Sequence, residues 1–348
     1  MASTGILRVG IVGYGVVGRR RRAVIDEHPR LNTVAVSDQK LTNRVDATGV
    51  KYFGSFEEIF SEELDVLFVS LPNYLAPRAT ILGLETGLHV FCEKPPGRNV
   101  ADIRKVIEVE KRNPDLKLKY GFNHRYHHSV QEALDVVKKG ELGGIVNLRG
   151  VYGKSKIVNF ESEWRTDRAK AGGGILLDQG IHMLDLMRLF AGEFVQIHSF
   201  ISNSYWHHEV EDNAYALMKT EANIVALIHS SATQWRHQFC LDIALERGAI
   251  TLSGILSGSK SYGDEEIIIV KRNEADIGVG VMPEERKRFL QDTSWEDEVR
   301  DFELSIKNGQ KITQGSSLDA LRTMELVEKI YQSDSEWSQR FPQAPNSR

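Results

Sequence analysis

The amino-acid sequence predicts an α/β protein of two domains, in which a doubly wound parallel sheet is followed by an open, mainly antiparallel sheet. Three observations support this fold class. The length of 348 residues exceeds the usual size of a single hydrophobic core. Up to residue 122, short apolar runs alternate with segments of helical spacing. Beyond residue 125, apolar runs succeed one another across short turns with few helices between them.

The N-terminal domain is predicted to comprise residues 1–123. Its helical segments lie near residues 16–28, 76–87 and 99–113. Strands that alternate with helices indicate βαβ units and therefore a parallel sheet with helices on both faces. The five predicted strands lie in the runs ILRVGIVG, NTVAVSD, DVLFVSLP, HVFCEKP and KLKYGF.

The C-terminal domain is predicted to comprise residues 124–335. Helical segments are expected near residues 128–139, where Gly140 ends the helix, and near residues 315–332. A succession of strands with short turns indicates an antiparallel sheet with one buried face. The predicted strands lie in IVNLRGVYGKSKI, VQIHSFISNS, NAYALMKTE, NIVALIHSSAT, QFCLDIALER and EIIIVKR. Residues 336–348 form a polar tail that is expected to fray.

Composition and charge exclude several classes of partner. The net charge of -4 gives no basic surface for nucleic acid or for an anionic membrane. No window approaches about 18 uninterrupted apolar residues, so no membrane span is expected. The N-terminal apolar run precedes its arginines, which is the reverse of a secretory signal peptide. Cys92 and Cys240 lack the spacing of a disulfide framework or a thiolate metal site, so a cytoplasmic location is expected.

The first predicted strand leads into a glycine motif that is typical of dinucleotide binding. Residues 13–18 are GYGVVG, and Asp38 ends the second strand twenty residues after Gly18. The first glycine permits a tight turn, the second lets the backbone approach a pyrophosphate, and the third allows helix and strand to pack closely. Free N–H groups of the helix N-terminus then face the phosphates. The residues expected to contact the cofactor here are Gly13, Gly15, Val16, Val17, Gly18 and Asp38.

Asp38 predicts which dinucleotide is bound. Its carboxylate can accept hydrogen bonds from the adenosine ribose hydroxyls and would repel a 2′-phosphate. The sequence therefore favours NAD over NADP. The four arginines of Arg19–Arg22 follow the motif and spread over all faces of a helix, so they cannot form one phosphate-binding surface. One or two of them are expected near the cofactor, and the others are expected to be solvated or paired.

Lys94 lies at the carboxyl end of another predicted strand, in Glu93-Lys94-Pro95-Pro96. In open α/β sheets ligands bind beyond the carboxyl ends of the strands. The following proline favours an extended backbone at Lys94, which fixes the direction of the side chain. Lys94 is therefore expected where a nicotinamide and a substrate meet. The alternative is that it is an ordinary solvated lysine at a strand end.

A stripe of polar residues follows in AGGGILLDQGIHMLDL, residues 171–186. If this segment is helical, Asp178, His182 and Asp185 fall within about 60° of one another, since each residue turns by about 100°. Three interpretations are a metal site, a solvated helical face and a proton-transfer site. A stable metal site usually needs three or four ligands in a cage. Proton transfer is favoured beside a nicotinamide, because oxidation of an alcohol also removes the hydroxyl proton.

In the proton-transfer interpretation each group of the stripe has its own role. His182, titrating near neutrality, takes the proton, Asp178 stabilises the charged imidazolium, and Lys94 stabilises negative charge on the oxygen. Asp185 is expected to be structural or to support these groups. The three glycines before the helix are expected to let the cofactor and the ring of a substrate approach the backbone closely.

These motifs occur together in one order along the chain. They are Gly13-x-Gly15-x-x-Gly18, Pro72-Asn73, Glu93-Lys94-Pro95, Gly121-Phe122-Asn123-His124-Arg125, Trp164-Arg165, and Gly172-Gly173-Gly174 with Asp178, Gly180, His182 and Asp185. Their order and spacing resemble the Gfo/Idh/MocA family from residue 6 to about residue 333. That family includes glucose-fructose oxidoreductase, inositol dehydrogenase and several nucleotide-sugar dehydrogenases.

The resemblance implies a Rossmann domain and a second α/β domain whose open sheet forms the substrate wall and often an oligomer interface. It implies that Lys94, Asp178 and His182 match the family's catalytic positions. His182 would exchange the proton of a sugar hydroxyl, Asp178 would bind a neighbouring hydroxyl or steer the histidine, and Lys94 would polarise the reacting oxygen. The family commonly has a histidine where the run LPNYLA places Ala76, so the cofactor pocket or the oligomer packing is expected to differ there.

Further candidate residues follow from the positions that match the family. Additional cofactor-binding candidates are Leu71, Pro72, Asn73, Glu93, Lys94, Asn123, Trp164 and Arg165. The substrate-binding candidates are Lys94, Asn123, Arg125, Arg165, Asp178 and His182. No metal ligand is expected.

The resemblance implies an NAD-dependent oxidoreductase acting on a secondary hydroxyl, or the matching keto group, of a sugar, with a nucleotide-linked or amino sugar favoured. The alternatives are an inositol or polyol dehydrogenase, a glycosidase in which transient oxidation permits elimination, and a cofactor-sensing regulator. The expected partners are the sugar and further copies of the chain, in a dimer or tetramer through the C-terminal sheet. The loop Ser204-Tyr205-Trp206-His207-His208 either stacks on a large substrate or forms an oligomer contact.

Overall fold

The first sheet has seven strands and is almost entirely parallel. The computed structural model describes residues 5–156, 163–257, 261–272 and 282–341. The strands are β1 (Leu7–Val12), β2 (Leu31–Ser37), β3 (Arg44–Val45), β4 (Lys51–Phe53), β5 (Val66–Val69), β6 (His89–Glu93) and β7 (Leu118–Gly121). Their spatial order is β3-β4-β2-β1-β5-β6-β7, and among these strands only β3 and β4 pair in antiparallel fashion.

The helices of this part connect the strands as predicted. They are α1 (Val16–Glu27), α2 (Ala76–Glu85) and α3 (Val100–Arg112). All four residues of β5 are buried, as expected for a central strand covered on both faces. The predicted doubly wound fold is therefore confirmed. Strands β3 and β4 were not predicted, because two and three residues are too few to produce a periodic pattern.

The second sheet has eight strands in the described part of the chain. They are β8 (Ile145–Gly153), β9 (Phe194–Ser202), β10 (Asn213–Thr220), β11 (Val225–Ser231), β12 (Gln238–Leu245), β13 (Gly248–Ser253), β14 (Glu265–Lys271) and β15 (Glu284–Phe289). Their order is β15-β14-β13-β12-β8-β11-β10-β9. The β8–β11 pair is parallel and the other described pairs are antiparallel, which confirms the predicted mainly antiparallel sheet.

Helices cover one face of this sheet and return to the first domain. The helices are α4 (His128–Lys139), α5 (Arg168–Ala171), α6 (Ile181–Ala191), α7 (Ser294–Lys307), α8 (Ser317–Ser333) and α9 (Ser335–Arg340). Gly140 ends α4 in the left-handed conformation, with φ of 71°. Phe302 of α7 packs edge-to-face on Phe91 of β6, with ring centroids 5.6 Å apart. Residues near the C-terminus thus complete the core of the first sheet.

Several elements of the second domain and one expectation about the tail differ from the sequence analysis. Strands β13 and β15 and helices α5, α7 and α9 were not predicted, and the expected fraying is wrong for the beginning of the tail. Asp334 caps α9 by accepting a hydrogen bond from the Trp337 N–H group at 2.9 Å. Trp337 is 3% exposed, so its burial anchors a segment that is otherwise polar. Residues 342–348 lie outside the described residues.

The segment between α5 and α6 brings the predicted polar stripe to the end of the second sheet. Residues Leu176–Gly180 form a π-helical turn directly before α6, so the stripe does not follow one regular α-helix. A π-helical turn widens the helix locally and is frequent at functional sites. None of the described helices is long and apolar enough to span a membrane.

Candidate active site

The glycine motif leaves the N-terminus of α1 open toward the carboxyl edge of the first sheet. Gly13 has φ of 86°, and a Cβ atom there would lie 2.3 Å from the carbonyl oxygen of Ser70. A Cβ at Gly18 would lie 2.0 Å from the Gly13 carbonyl oxygen, whereas one at Gly15 would meet nothing within 4 Å. Val16 is 88% exposed, and no side chain of the residues that the structure describes caps the helix. The chain therefore fits a pyrophosphate at this helix end.

Asp38 lies beside this opening, directly after β2. Its carboxylate accepts hydrogen bonds at 3.0 Å from the backbone N–H groups of Tyr14 and Lys40. These contacts place a negative charge next to the glycine turn, which suits hydroxyl groups of a ribose and opposes a phosphate. Leu71 and Pro72 follow β5 and are half-buried.

Asn73 and Ala76 belong to the turn and helix after β5. Asn73 donates a hydrogen bond at 2.7 Å to the carbonyl oxygen of Ala171 and is 7% exposed. This hydrogen bond therefore connects the end of the first sheet's strand β5 with the segment directly before Gly172–Gly174. Ala76 begins α2 and is 2% exposed.

The run of four arginines has a structural role that the sequence did not indicate. Arg21 is 1% exposed and pairs with Glu93 and Glu298, both at 2.6 Å. Its guanidinium also lies over the Trp295 ring, 4.1 Å from the centroid. The pairing expected for some of these arginines is thus found at Arg21, in the interior. Glu93, a candidate for cofactor contact, is the carboxylate that Arg21 binds next to Lys94.

Lys94 extends from the end of β6 to the second sheet. Its ammonium group donates a hydrogen bond at 2.6 Å to the backbone carbonyl oxygen of Asp178, and the Lys94–Pro95 peptide bond is cis. Burial lowers the pKa of Lys94, although the charges of Asp178 and Glu93 act in the opposite direction. Lys94 therefore joins the carboxyl edge of the first sheet to the segment that carries Asp178, as its position at a strand end predicts.

Asp178 faces a lysine that sequence reasoning missed. Its carboxylate accepts a hydrogen bond at 2.9 Å from the ammonium group of Lys154, which follows β8. Burial acts to raise the pKa of Asp178, but Lys154, Lys94 and Arg165 hold it below its ordinary value. The side chain keeps 25% of its surface exposed. Asp178 is thus an ionised, accessible acceptor, and the group it contacts is Lys154 instead of His182.

His182 lies in the first turn of α6 and is 5% exposed. Its ring stacks on that of His124, with centroids 3.7 Å apart and planes inclined by 14°. Burial, together with His124, Lys94 and His127, lowers the pKa of His182 well below its ordinary value. The expectation of titration near neutrality is therefore wrong for this arrangement. The imidazole is neutral at neutral pH, which is the form that can accept a proton.

Asp185 is a supporting residue, as the sequence predicted. It accepts two hydrogen bonds from the Arg125 guanidinium, at 2.7 and 2.6 Å, and is 1% exposed. The same arginine contacts Asp319 at 3.3 Å and is itself 3% exposed. The expected contact of Arg125 with substrate is therefore corrected: its donors face the buried carboxylate of Asp185 and the partly exposed one of Asp319, and they hold α6 in place.

The three glycines are required by internal packing instead of by a ligand. A Cβ atom would lie 2.1 Å from the Arg98 carbonyl oxygen at Gly172, 2.2 Å from the Tyr331 hydroxyl at Gly173, and 2.1 Å from the Glu211 carbonyl oxygen at Gly174. The buried Glu211 carboxylate also accepts a hydrogen bond at 2.7 Å from the Gly174 N–H group. The expectation that these glycines make room for cofactor and sugar is wrong, because their missing side chains would point into protein.

The other candidates lie around the same opening. Trp164 and Arg165 are half-buried, and the Arg165 guanidinium lies 4.3 Å from the centroid of the Trp164 ring. Asn123 is 8% exposed and donates a hydrogen bond at 3.2 Å to the hydroxyl of Ser294. The amide nitrogen of Asn123 therefore already has a hydrogen-bond partner within the protein.

Three residues of the site had no assigned role in the sequence analysis: Lys154, His124 and Tyr152. His124 belongs to the FNHRYHH run, and a cluster of histidines directly after a strand end was the available signal. Lys154 and Tyr152 gave no local signal, because their position depends on the register of β8 with β11 and β12. Among the described residues no group of three or more His, Cys, Asp or Glu side chains could hold a metal ion.

The fold and the site define a dinucleotide-binding α/β protein whose second domain closes the cofactor edge with a mainly antiparallel sheet. Residues 7–122 match the family model described as "Oxidoreductase family, NAD-binding Rossmann fold", and residues 130–251 match the GFO/IDH/MocA C-terminal domain. The chain belongs to the GFO/IDH/MocA family. This finding confirms the resemblance in the sequence analysis.

Relatives with assigned names are similar over part of the chain. The D-glucoside 3-dehydrogenase of Escherichia coli is 31% identical over 212 residues, which cover 56% of this chain and 58% of the relative. A putative UDP-kanosamine synthase oxidoreductase subunit of Amycolatopsis mediterranei is 31% identical over 205 residues, which cover 57% and 56%. The matches thus span little more than half of the length of these relatives.

Solved structures show the same fold over nearly the whole chain. A levoglucosan dehydrogenase in complex with NADH and levoglucosan superposes with a TM-score of 0.82. The match covers 95% of this chain and 97% of the other, at 18% identity. At this identity the likeness concerns the fold.

Proposed function

We propose that the chain is an NAD-dependent oxidoreductase that transfers a hydride between the nicotinamide and a secondary hydroxyl, or the matching keto group, of a sugar. The observation that carries the proposal is the meeting of Lys94, from the carboxyl end of β6, with Asp178 and His182 at the second sheet. The open N-terminus of α1 and the carboxylate of Asp38 supply the cofactor half. Membership of an NAD-binding oxidoreductase family supports the same reaction class.

The chemistry assigns a separate task to each side chain. Oxidation of a secondary alcohol breaks one C–H and one O–H bond, so the site must receive a hydride and a proton. When bound at the glycine loop, NAD would supply the acceptor for the hydride and its electron pair, so the side chains of the chain have to manage the proton. His182, neutral because burial lowers its pKa, accepts the hydroxyl proton. Lys94 donates toward the oxygen while negative charge develops there, and the ionised Asp178 accepts from a neighbouring hydroxyl.

An absorbance assay for NADH with purified protein tests the proposal. Nucleotide sugars, free sugars, glycosides and inositols are each offered with NAD, and the reverse reaction is offered keto sugars with NADH. The proposal expects NADH to accumulate in proportion to a keto sugar. Activity confined to inositols would support a polyol dehydrogenase. Release of an aglycone without net NADH would support a glycosidase, and binding of NAD without any turnover would support a regulator. Each of these three outcomes contradicts the proposal.

For the substrate class, we propose a sugar that carries a second ring, such as a nucleotide-linked or aryl-linked sugar. Tyr205, Trp206 and Trp235 form an aromatic cluster, with the Tyr205 ring centroid 5.0 Å and 5.4 Å from the other two. Trp235 is 64% and Tyr205 is 53% exposed, so both rings offer surface for stacking. Gln234, which precedes Trp235, donates its N–H group at 3.0 Å to the Lys154 carbonyl oxygen. The cluster therefore adjoins the lysine that holds Asp178.

Replacement of Trp235 by alanine separates this substrate class from a free sugar. Stacking on an aromatic side chain contributes about 1–3 kcal/mol per base, so KM should rise about tenfold or more for a nucleotide sugar. KM for the matching free sugar should not change. Leu290→Ala, at an exposed apolar side chain outside the aromatic cluster and away from β9–β11, is the control. An equal change for both sugars, or a change confined to oligomeric state, contradicts the assignment.

We also propose that a second copy of the chain covers the outer face of the second sheet. Strands β9, β10 and β11 expose apolar side chains on that face: Val195, Phe200, Tyr215, Leu217, Val225 and Leu227. A contiguous apolar face of this kind marks an interaction surface. Sedimentation should therefore give a dimer or tetramer, and Leu217→Asp should dissociate it. A monomer at micromolar concentration contradicts the proposal.

The two free cysteines suit the reducing cytoplasm that we propose as the compartment.

A further inference from the structure

Two buried imidazoles meet face to face where the two sheets approach each other. His124 lies in the 3-10 turn Asn123–Tyr126 that follows β7, and His182 lies in the first turn of α6. Their ring centroids are 3.7 Å apart, and their planes are inclined by 14°. They are 7% and 5% exposed. The contact therefore joins the first sheet's edge to the helix that carries the candidate proton acceptor.

Hydrogen bonds fix the ring of His124 on both sides. Its Nε2 lies 3.0 Å from the hydroxyl of Tyr152, and its Nδ1 lies 3.2 Å from Oδ1 of Asn123. The Asn123 amide nitrogen donates to Ser294, so the amide oxygen faces His124 and the proton must sit on Nδ1. The Tyr152 hydroxyl then donates to Nε2. Burial lowers the pKa of His124 well below its ordinary value, so the ring is neutral as well as fixed.

Within the described part of the chain, the ring of His182 has no comparable support from hydrogen bonds. Its Nδ1 is buried and has no hydrogen-bond partner among the residues that the structure describes. A histidine that exchanges protons through one ring nitrogen is usually oriented by an acceptor on the other nitrogen. Phe122 touches His182 edge-to-face, with centroids 6.4 Å apart, but the closest parallel surface is the ring of His124. Stacking is therefore the interaction that can define the ring plane.

We propose that His124 is a positioning residue for His182. The hydrogen-bonded ring of His124 is the flat surface on which the His182 imidazole stacks, so that Nε2 of His182 is directed toward the substrate hydroxyl. The inference rests on the proposed function, in which His182 accepts the proton. An aromatic pair is stabilised beyond the effect of its buried area. This stabilisation favours one ring orientation, and misplacement of a catalytic group by about 1 Å can cost about 10²-fold in rate.

The test compares a variant that removes the flat ring at position 124 with one that keeps a flat ring there. His124→Ala should lower kcat about tenfold or more, with KM for NAD unchanged, because the His182 ring is no longer held in one plane. His124→Phe loses both hydrogen bonds but keeps a flat ring of similar size, and it should retain most of kcat. Equal losses in the two variants would overturn the proposal in favour of the hydrogen bonds.

The pH profile separates positioning from a general loss of folding. Other titratable or charged groups around His182 are Lys94, His127, Tyr152 and Asp178, and all four remain in both variants. The space left in His124→Ala admits water, so the pKa of His182 should rise toward its ordinary value and the acid limb of kcat/KM should move to higher pH. A loss of folding alone lowers the amplitude of the profile without moving this limb. A wild-type kcat together with a wild-type acid limb in His124→Ala would overturn the proposal.

A magnetic-resonance measurement tests the stack without any turnover. In protein labelled at histidine, the His182 ring protons are assigned by their loss in His182→Gln and should be shifted upfield by the ring current of His124. The shift should persist in His124→Phe and disappear in His124→Ala. If the wild-type protein oxidises no sugar, the proposed function fails, but the shift still decides whether the stack exists. An unshifted His182 signal in the wild type contradicts this inference and leaves the proposed function intact.

Discussion

The cofactor half and the hydroxyl half of the candidate site are built in different ways. The cofactor half consists of the loop Gly13–Gly18 and Asp38, and its surface is backbone N–H groups within one βαβ unit. The hydroxyl half consists of Lys94, Asp178 and His182, side chains that come from the end of β6, a π-helical turn and the first turn of α6. Variants in the first half should therefore change binding of the dinucleotide, and variants in the second should change turnover and its pH dependence.

Two buried arginines lie next to residues of the hydroxyl half, and their loss should give the largest effect. Arg21 supports Glu93 next to Lys94, and Arg125 supports Asp185 one turn after His182. Arg125→Met removes both short hydrogen bonds to the buried Asp185 carboxylate and leaves it only the longer contacts with Arg188 at 4.0 Å and Thr323 at 3.4 Å, so the free energy of unfolding should fall by about 3–5 kcal/mol. Urea denaturation measures this. The double variant Arg125→Met, Asp185→Leu should recover much of the stability, and a loss below about 1 kcal/mol in the single variant would show that the pair is solvated.

Replacement of His182 by alanine separates the two halves most clearly. Turnover should fall by about 10² or more, because general base catalysis contributes about 10²–10⁴. The Kd of NADH should stay close to that of the wild type, since His182 lies outside the cofactor half. Steady-state kinetics and fluorescence titration of NADH give the two quantities. Unchanged turnover removes His182 from the mechanism, and a parallel loss of NADH binding removes the distinction between the halves.

Asp38→Ala is the corresponding change in the cofactor half. Hydrogen bonds to a charged group contribute about 1.5–3 kcal/mol each, so the preference for NAD over NADP should fall about tenfold or more. The turnover number at saturating NAD should not change. Asp38→Asn is the matched control, because it keeps the size of the side chain and removes the charge. A wild-type protein that already prefers NADP contradicts the assignment of Asp38.

Lys154→Met should give the smallest effect and one that depends on pH. The ion pair with Asp178 is partly exposed and is worth about 1 kcal/mol or less, so kcat/KM at neutral pH should fall by about fivefold at most. Lys154 helps to hold the pKa of Asp178 below its ordinary value. Its loss should raise that pKa, and activity should then decline at a higher pH than in the wild type. Lys154→Arg should restore the profile, and an unshifted acid limb in Lys154→Met would show that Asp178 does not need this charge.

The same comparison explains what could be predicted from the sequence. The glycine loop and Asp38 were predictable because their contacts lie within one local unit of fixed spacing. Lys94 was predictable because parallel strands bring ligands to their carboxyl ends. These arguments need no knowledge of which distant segments pair.

The hydroxyl half was predicted less completely, because its contacts join distant parts of the chain. Lys154 contacts Asp178 across 24 residues, and Arg125 contacts Asp185 across 60. Neither contact follows from a local pattern, so Lys154 was missed and Arg125 was assigned to the substrate. The prediction of one polar stripe also assumed a regular α-helix. In the structure Asp178 lies in a π-helical turn and His182 in the α-helix that follows it.

The most direct test of the account follows NADH and protons in one reaction. Enzyme, NAD and the best sugar from the assay are mixed in weakly buffered solution with a pH indicator, and both signals are recorded during a single turnover. The account predicts one NADH and one proton released per site, with both slowed together by about 10² or more in His182→Ala. NADH formation in His182→Ala at the wild-type rate would contradict the central claim that His182 accepts the hydroxyl proton.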